Sequence, residues 1–225
     1  MFQKWNNLTH SSRRIYEFRL KYIMGPLQRI AARTPWVDTE VIKDYYEKLD
    51  QLYGRWLPES SVLDIGCGPG KLSKEFCHKH GAKFYVGADY SSGMAKDAKI
   101  GHSRFNFICA DTTHLPFGNS TFDIVHSTRL FHHLNPEIRA EAIIEQLRVA
   151  KRAVILEDLF GFEPGLWRLP HMAYYMLADG SYYRHSLKEW ELLLHSVNAE
   201  ILEYYHTDDR IIQGRCSYWV ITNRQ

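Results

Sequence analysis

Short apolar runs alternate along the chain with segments in which apolar residues recur at helical spacing, as Leu72 and Phe76 do at an interval of four residues. This alternation is the pattern of parallel βαβ units, so it predicts an α/β fold built on a mostly parallel sheet. The runs that predict strands are residues 61–66, 83–90, 104–111, 122–127, 152–159, 199–206 and 216–223.

Three of the predicted helices begin at residues that commonly cap helices. The hydroxyls of Ser91 and Ser92 can accept hydrogen bonds from the first unpaired backbone N–H groups of a helix. Asn135 followed by Pro136 places a capping side chain before a proline that fits the first helical turn. The sequence Ser-Leu-Lys-Glu from Ser186 is a capping box, so a helix is predicted there as well.

Two stretches lie outside the alternation of strands and helices. Residues 1–40 place apolar side chains such as Ile15 and Phe18 on one helical face and predict an N-terminal helical appendage or cap. Residues 160–185 form an insertion that is rich in aromatic side chains. We therefore expect one domain over residues 41–225, in which the insertion serves as a lid.

Composition and charge bound the class of protein. The chain has 225 residues, of which 45% are hydrophobic, enough to form the core of a single domain. Its 28 basic and 26 acidic side chains nearly cancel, so nucleic acid is not expected as the main partner. Residues 1–36 differ, because seven Lys or Arg stand there beside one acid, Glu17. Such a basic segment could make a peripheral contact with an anionic membrane surface.

The cysteines and the apolar runs bear on the cellular compartment. The four cysteines are widely separated and form no CxxC pair, so we expect free thiols in a reducing compartment and no metal site. The N-terminal residues lack the apolar core of a signal peptide, and no run approaches the roughly 18 apolar residues of a membrane span. A cytoplasmic protein without a membrane span is therefore expected.

The densest cluster of glycines follows the first predicted strand, in the stretch SVLDIGCGPGKLSKEF over residues 61–76. A dinucleotide-binding fingerprint would need a glycine where Lys71 stands. A Walker loop would need a different glycine spacing and a hydroxyl residue after the lysine, so neither motif fits. The residues that are present form an acid near the strand end followed by GxGxG, namely Asp64, Gly66, Gly68 and Gly70.

This stretch resembles the first motif of the class I S-adenosylmethionine-dependent methyltransferases, in which the glycine turn lets the backbone approach the amino acid and ribose portions of the cofactor. The resemblance implies a Rossmann-like, seven-stranded sheet with helices on both faces and an antiparallel last strand. It also implies S-adenosylmethionine as the cofactor, S-adenosylhomocysteine as its product and methyl transfer as the activity. One departure is the link LRVAKRAVILED, which lacks the Pro-Gly-Gly turn usual in relatives.

Three later segments resemble motifs of the same family in the same order along the chain. Asp89, at the end of the second predicted strand, resembles the acid that accepts hydrogen bonds from the ribose hydroxyls. Asp111 and Thr112 resemble the segment around the adenine, and Ser127 and Thr128 would face the methionine end. The residues that the resemblance assigns to the cofactor are Tyr46, Asp64, Gly66, Cys67, Gly68, Gly70, Asp89, Tyr90, Met94, Asp111, Thr112, Ser127 and Thr128.

Candidates for catalysis and substrate binding come from the ends of the fourth and fifth predicted strands and from the aromatic insertion. A general base is needed only when the accepting atom of the substrate keeps its proton. His132 and His133 are the candidate bases, with Glu157 and Asp158 as alternatives, although either histidine could instead pack and cap the next helix. The residues expected at the substrate are Glu157, Trp167, His171 and Tyr175.

The aromatic insertion favours a small, flat or apolar substrate, because small-molecule pockets are mainly apolar; the same side chains could also be ordinary core. The chain lacks the Asn/Asp-Pro-Pro-aromatic motif and the Pro-Cys pair that would favour methylation of DNA bases. Two other functions stay open, which are methylation of RNA or protein and cofactor binding without methyl transfer. No oligomeric state is indicated, and we expect residues 1–40 and 160–185 to close over the site as a joint lid.

Overall fold

The computed structural model describes residues 39–161, 184–207 and 215–224. The strands are β1 (Ser61–Ile65), β2 (Phe84–Asp89), β3 (Asn106–Cys109), β4 (Phe122–Thr128), β5 (Ala150–Leu159), β6 (Ala199–His206) and β7 (Cys216–Asn223). The helices are α1 (Thr39–Trp56), α2 (Leu72–Lys74), α3 (Ser92–Gly101), α4 (Pro136–Val149) and α5 (Leu187–Ser196). A π-helical turn (Glu75–Lys79) continues α2, and a 3₁₀ turn (Phe131–His133) follows β4.

The seven strands form one sheet in the order β3-β2-β1-β4-β5-β7-β6. Strands β1 to β5 pair in parallel, whereas β7 is antiparallel to both of its neighbours, β5 and β6. The predicted seven-stranded, mostly parallel sheet with an antiparallel last strand is therefore confirmed. The strand order reverses direction between β1 and β4, and open α/β sheets bind ligands beyond the carboxyl ends of their strands at such a point.

Alternate residues of the central strands pack against helices on opposite faces of the sheet. On one face, side chains such as Val62 and Ile124 share a buried cluster with residues of α1 and α3. On the other face, Leu63 and Val125 share a cluster with residues of α4 and α5. Both faces of the central strands are thus covered, which explains why their sequences are apolar at successive positions instead of alternating.

The three predicted helix caps all form. Ser91 precedes α3, and its Oγ accepts a hydrogen bond from the Met94 backbone N–H at 3.3 Å. Asn135 caps α4 in the same way, with the proline that follows it in the first turn. Ser186 and Glu189 exchange the two hydrogen bonds of a capping box at the start of α5. These helix starts were therefore predictable from local chemistry alone.

The helix that follows the glycine loop differs from the prediction of regular helical spacing. Only Leu72–Lys74 is α-helical, and the chain then widens into the π-helical turn, where the His80 N–H donates to the Glu75 carbonyl at 3.1 Å. Phe76 is nonetheless fully buried in the cluster that contains the α1 side chains. The wider turn keeps the predicted apolar contact and also brings the residues at its two ends close together.

Two features of the predicted domain organisation lie wholly or mostly outside the residues that the structure describes. The N-terminal appendage, apart from its last two residues, and the lid insertion over residues 162–183 lie outside the described residues, so both stay predictions. Within the described ranges, no helix combines the length and the apolar character that crossing a membrane would require.

Candidate functional site

The carboxyl ends of β1 and β4 adjoin at the point where the strand order reverses. Ile65 at the end of β1 lies beside Ser127 of β4 in the sheet register. Beyond the strands, a Cβ placed on Gly66 would lie 3.1 Å from Cδ1 of Leu130, so the turn after β1 contacts the turn after β4. The predicted glycine motif therefore lies at the edge where this class of sheet binds ligands.

The glycine loop has a left-handed backbone at each of its three glycines, with φ of +72° at Gly66, +51° at Gly68 and +76° at Gly70. Residues with a Cβ rarely adopt this conformation. A Cβ on Gly70 would lie 2.7 Å from the Phe107 ring, so this glycine allows close packing. A Cβ on Gly68 would meet no atom of the described residues within 4 Å, so a ligand has room to approach the loop there.

Asp89 ends β2 and holds the glycine loop through its carboxylate. Oδ2 accepts a hydrogen bond from the Gly68 N–H at 2.8 Å, and Oδ1 accepts one from the Ser91 N–H at 2.8 Å. Burial raises the pKa of Asp89 above its ordinary value of 3.8, although the two backbone donors oppose this rise. Because a carboxylate offers about four acceptor positions, each oxygen of Asp89 keeps capacity for a ligand hydroxyl.

Asp111 and Thr112 follow β3 and have different surroundings. Asp111 is exposed, and its Oδ1 accepts hydrogen bonds from the N–H and hydroxyl of Thr113 at 2.9 and 2.8 Å. Thr112 is buried, and its Oγ1 accepts from Nε2 of Gln146 in α4 at 3.3 Å. The same amide accepts a hydrogen bond from the Ser127 hydroxyl at 3.4 Å. Of the predicted contacts in this region, Asp111 alone presents an exposed side chain.

The end of β4 carries a cationic side chain at the edge of the sheet. Thr128 donates a hydrogen bond to Glu157, whose side chain is buried in β5. Arg129 follows with a left-handed backbone, φ +51°, a strained conformation that is common at functional sites when the residue is not glycine. Its exposed guanidinium donates to the Tyr46 hydroxyl at 2.7 Å. Tyr46 of α1 is thus brought to the carboxyl end of β4.

His132 and Asp158 form a buried pair beside this edge. Nδ1 of His132 hydrogen-bonds Oδ1 of Asp158, and the His132 backbone N–H donates to Oδ2 at 2.9 Å. Burial alone would raise the pKa of Asp158, but the imidazole and the N–H groups of His132 and Leu159 hold that pKa below its ordinary value. Nε2 of His132 has no hydrogen-bond partner in the described part of the chain. His132 is therefore oriented as a general base would be. The centroid of the His133 ring lies 4.1 Å from the centroid of the His132 ring.

Asp64 lies in the core instead of on the open edge of the glycine loop. Its Oδ2 accepts a hydrogen bond from the Tyr85 hydroxyl at 2.7 Å, and its Oδ1 pairs with Nδ1 of His126 at 2.9 Å. Nε2 of His126 in turn bonds the Tyr53 hydroxyl at 2.9 Å. All four side chains are buried. The structure thus gives Asp64 core partners and does not bring it together with the exposed residues of the edge.

The remaining predicted site residues divide by exposure. Cys67 and Met94 are buried, and burial raises the pKa of the Cys67 thiol. Tyr90 is largely exposed, directly after β2. The predicted substrate contacts that lie outside the described residues, and so stay predictions, are Trp167, His171 and Tyr175.

Three residues of this region had no predicted role. His126 stands inside an otherwise apolar strand, where a buried polar ring needs a partner, and that was the available signal. Gln146 is an amide on the buried face of α4, which is a signal of the same kind. Arg129 has no distinctive sequence signal, because its strained backbone is visible only in three dimensions.

Residues 62–153 match a family described as the methyltransferase domain. A demethylmenaquinone methyltransferase of Paenarthrobacter aurescens is 36% identical over 120 residues, which are 52% of this chain and 46% of that protein. A tRNA (carboxymethyluridine(34)-5-O)-methyltransferase of Saccharomyces cerevisiae is 32% identical over 103 residues, 44% of this chain and 36% of that protein. The matched segment spans less than half the length of these curated relatives.

A similar fold occurs in the crystal structure of magnesium protoporphyrin IX methyltransferase from Synechocystis PCC 6803 with bound S-adenosylhomocysteine. The TM-score is 0.60 at 22% identity, over 84% of this chain and 89% of that chain. At this identity the likeness shows the fold. The matched domain and this fold support the resemblance that the ordered motifs predicted, and residues 62–153 form a domain of the class I S-adenosylmethionine-dependent methyltransferase type.

Proposed function

We propose that this protein binds S-adenosylmethionine along the carboxyl ends of β1 to β4 and transfers its methyl group to a small molecule. The observation that carries the proposal is the hydrogen bond from Gly68 to Asp89 beside a left-handed loop with room for a ligand. Such an arrangement suits recognition of a ribose, because the fixed carboxylate can accept from its hydroxyls beside backbone that the ligand can approach. The matched methyltransferase domain supports the same class of reaction.

The residues present fit the cofactor at each of its parts. Asp89 keeps acceptor capacity for the two ribose hydroxyls, and Gly68 leaves space beside it. Asp111 is an exposed acceptor after β3 that would serve the exocyclic amine of the adenine. Tyr46 and Arg129 stand at the end of β4, where the methionine portion would lie.

The protein's own task in this reaction is to position the acceptor and to exclude water. When bound, S-adenosylmethionine supplies a methyl group on a positively charged sulfur, and the bonding electrons stay on that sulfur to give S-adenosylhomocysteine. His132 accepts the proton that the attacking atom of the substrate loses as its bond to carbon forms. Asp158 keeps Nδ1 of His132 engaged, so Nε2 is the atom that takes this proton. The carboxylate then stabilises the imidazolium that results.

A small-molecule substrate is supported by the names of two similar proteins. The demethylmenaquinone and magnesium protoporphyrin IX methyltransferases are named for small molecules with large apolar or flat ring systems. The aromatic composition of residues 160–185 is suited to a substrate of this kind.

The test is to incubate the protein with methyl-labelled S-adenosylmethionine and fractionated metabolite extract, and to follow S-adenosylhomocysteine and labelled products by mass spectrometry. The parent protein should form both in equal amounts with at least one fraction, and His132→Gln should form neither at a comparable rate. Cofactor binding without S-adenosylhomocysteine in any fraction would favour the non-methylating alternative. Absence of cofactor binding would overturn the proposal.

Methylation of RNA is a second candidate, and it is favoured by the similarity to a tRNA methyltransferase. The seven basic residues among residues 1–36 are the part of this chain that could contact a phosphate backbone. Contacts between basic side chains and phosphates release counterions, so such binding weakens steeply as salt rises. Labelled methyl transfer to total tRNA with a steep salt dependence, and none to metabolites, would select this candidate.

A further inference from the structure

Three side chains of metal-binding type meet away from the cofactor edge, where α1 contacts the π-helical turn. Asp50 of α1, Glu75 of the π-helical turn and His80 after it each place one ligand atom within 4.8 Å of the others. Nε2 of His80 is 3.1 Å from Oδ1 of Asp50 and 3.9 Å from Oε1 of Glu75. None of these residues has a role in the proposed methyl transfer.

The His80 ring is the observation that points to a ligand. His80 is 7% exposed and packs edge to face against the Tyr53 ring, with centroids 5.5 Å apart. Its Nε2 is buried and makes no well-aligned hydrogen bond within the described part of the chain, although Oδ1 of Asp50 lies 3.1 Å away. A buried nitrogen without a partner is unfavourable, and a metal ion bound through its lone pair would remove that cost.

The distances are compatible with two carboxylate ligands and one imidazole ligand of a single ion. Nitrogen and carboxylate oxygens bind zinc at about 2.0–2.2 Å, so two ligands of a tetrahedral site lie about 3.3–3.6 Å apart. The separations of 3.1 and 3.9 Å from Nε2 to the two carboxylates lie on either side of that range. Small side-chain rotations would therefore complete the site.

The π-helical turn explains how two residues that are distant on an ordinary helix face the same ion. Glu75 and His80 are five residues apart and are joined by the i to i−5 hydrogen bond of the turn. In a π-helical turn, residues at this interval lie one above the other, as residues at an interval of four do in an α-helix. The departure from α-helical geometry thus aligns two of the three ligands.

The ammonium group of Lys79 lies beside the cluster of Asp50, Glu75 and His80. It forms an ion pair with Asp50, and 56% of the lysine side chain is exposed. Because the lysine can swing into solvent, it competes with an incoming ion without blocking it. Removal of this competing charge should tighten the binding of a metal.

We propose that Asp50, Glu75 and His80 bind a divalent ion of the zinc type. The imidazole nitrogen and two carboxylate oxygens are ligands that zinc accepts, and water would complete the tetrahedron. The ion would tie α1 to the segment that directly follows the glycine loop. Its expected role is therefore stabilisation of the fold around the cofactor edge.

The experiment uses full-length protein stripped of metal with a chelator. Zinc chloride is titrated by calorimetry and cobalt chloride by visible absorption, which reports tetrahedral coordination directly. We expect one site per chain, a rise in melting temperature with zinc and no response to magnesium. Asp50→Asn and His80→Gln should abolish the cobalt absorption, whereas Lys79→Met should bind zinc about fivefold more tightly, as loss of a neighbouring charge in water predicts.

The matched control is His195→Gln, which removes an exposed histidine of α5 and should bind like the parent. The proposal is overturned if the parent binds no stoichiometric zinc or if Asp50→Asn and His80→Gln bind as tightly as the parent does. Because Asp50 is partly exposed, Asp50→Asn keeps the test valid even where His80→Gln fails to fold. Binding of S-adenosylhomocysteine is measured in parallel on the same variants. Loss of zinc binding with unchanged cofactor binding then tests the metal site separately from the proposed methyl transfer.

Discussion

Two buried histidine–aspartate pairs in the described part of the chain share one hydrogen-bond pattern and differ in the partner of the second ring nitrogen. In both pairs, Nδ1 of the histidine bonds Oδ1 of the aspartate, His126 with Asp64 and His132 with Asp158. Nε2 of His126 is also occupied, by the Tyr53 hydroxyl at 2.9 Å. Nε2 of His132 has no such partner within the described ranges of the chain.

The difference shows that a buried histidine–aspartate pair is not by itself evidence of catalysis. A ring with both nitrogens occupied is a cross-link between elements, here α1, β1 and β4, and it cannot take up a substrate proton. A ring with one oriented and one available nitrogen can do so. We therefore assign the His132–Asp158 pair to the proposed proton transfer and the His126–Asp64 pair to stabilisation of the fold. Substitutions in each pair test this assignment.

The largest expected effect is on the rate of His132→Gln. Glutamine can still donate to Asp158 but cannot accept a proton, so the single-turnover rate should fall by about 10²–10⁴-fold. Affinity for S-adenosylhomocysteine, measured by calorimetry, should stay unchanged. If His132→Gln turns over as fast as the parent, His132 is not the base and has a structural role, as His126 does.

His126→Ala should instead lower stability. It leaves the Asp64 carboxylate buried without its partner, which typically costs about 3–5 kcal/mol in the free energy of unfolding. Urea denaturation measures this loss, with Tyr53→Phe as the milder control at about 1 kcal/mol. The rate per folded molecule should be that of the parent, and a selective loss of rate at full stability would contradict the assignment.

Asp89 extends the comparison to an aspartate whose partners are backbone N–H groups. Asp89→Asn should weaken S-adenosylhomocysteine binding by about 1.5–3 kcal/mol, or about 10–150-fold, because hydrogen bonds to a charged acceptor are lost.

The same residue predicts a pH dependence of cofactor binding. Ribose hydroxyls donate to the ionised carboxylate, so affinity should be constant at neutral pH and fall as the pH drops through the pKa of Asp89, which burial places above 3.8. Calorimetric titrations of S-adenosylhomocysteine across this acidic range should show the fall in the parent and not in Asp89→Asn. If the affinity of Asp89→Asn falls with pH in the same way as that of the parent, a group other than Asp89 titrates.

The smallest expected effect is that of Tyr46→Phe. The substitution removes the hydrogen bond that holds the Arg129 guanidinium, for which a loss of about 0.5–1.5 kcal/mol in cofactor affinity is expected. Because both side chains are exposed, the lower end of this range applies. Lys48→Ala, on the same helix and ion-paired with Asp44, is the matched control and should leave the affinity unchanged.

The sequence predicted the features whose causes are local. The glycine spacing, the acid that ends β2 and the caps at Ser91, Asn135 and Ser186 depend on interactions within a few residues, and each was found where it was expected. The two outer antiparallel strands were located to the residue.

Features that depend on distant contacts could not be predicted in this way. Asp64 and His126 are 62 residues apart and become neighbours only through the parallel register of β1 and β4. Asp64 therefore resembled an acid of the open edge, whereas its partners are in the core. Gln146 and the π-helical turn also depend on distant contacts. Gln146 of α4 joins Thr112 after β3 to Ser127 near the end of β4, and the π-helical turn buries Phe76 against side chains of α1.

The position of β7 has a consequence for how the chain folds during its synthesis. β7 follows β6 in the chain but lies between β5 and β6 in the sheet, so β6 has no partner strand until β7 has left the ribosome. Until then β5 also presents an open edge of unpaired backbone groups, which favours association with other chains. Translation that stops after β6 should yield an aggregating product, whereas chains that include residues 216–223 can complete the sheet.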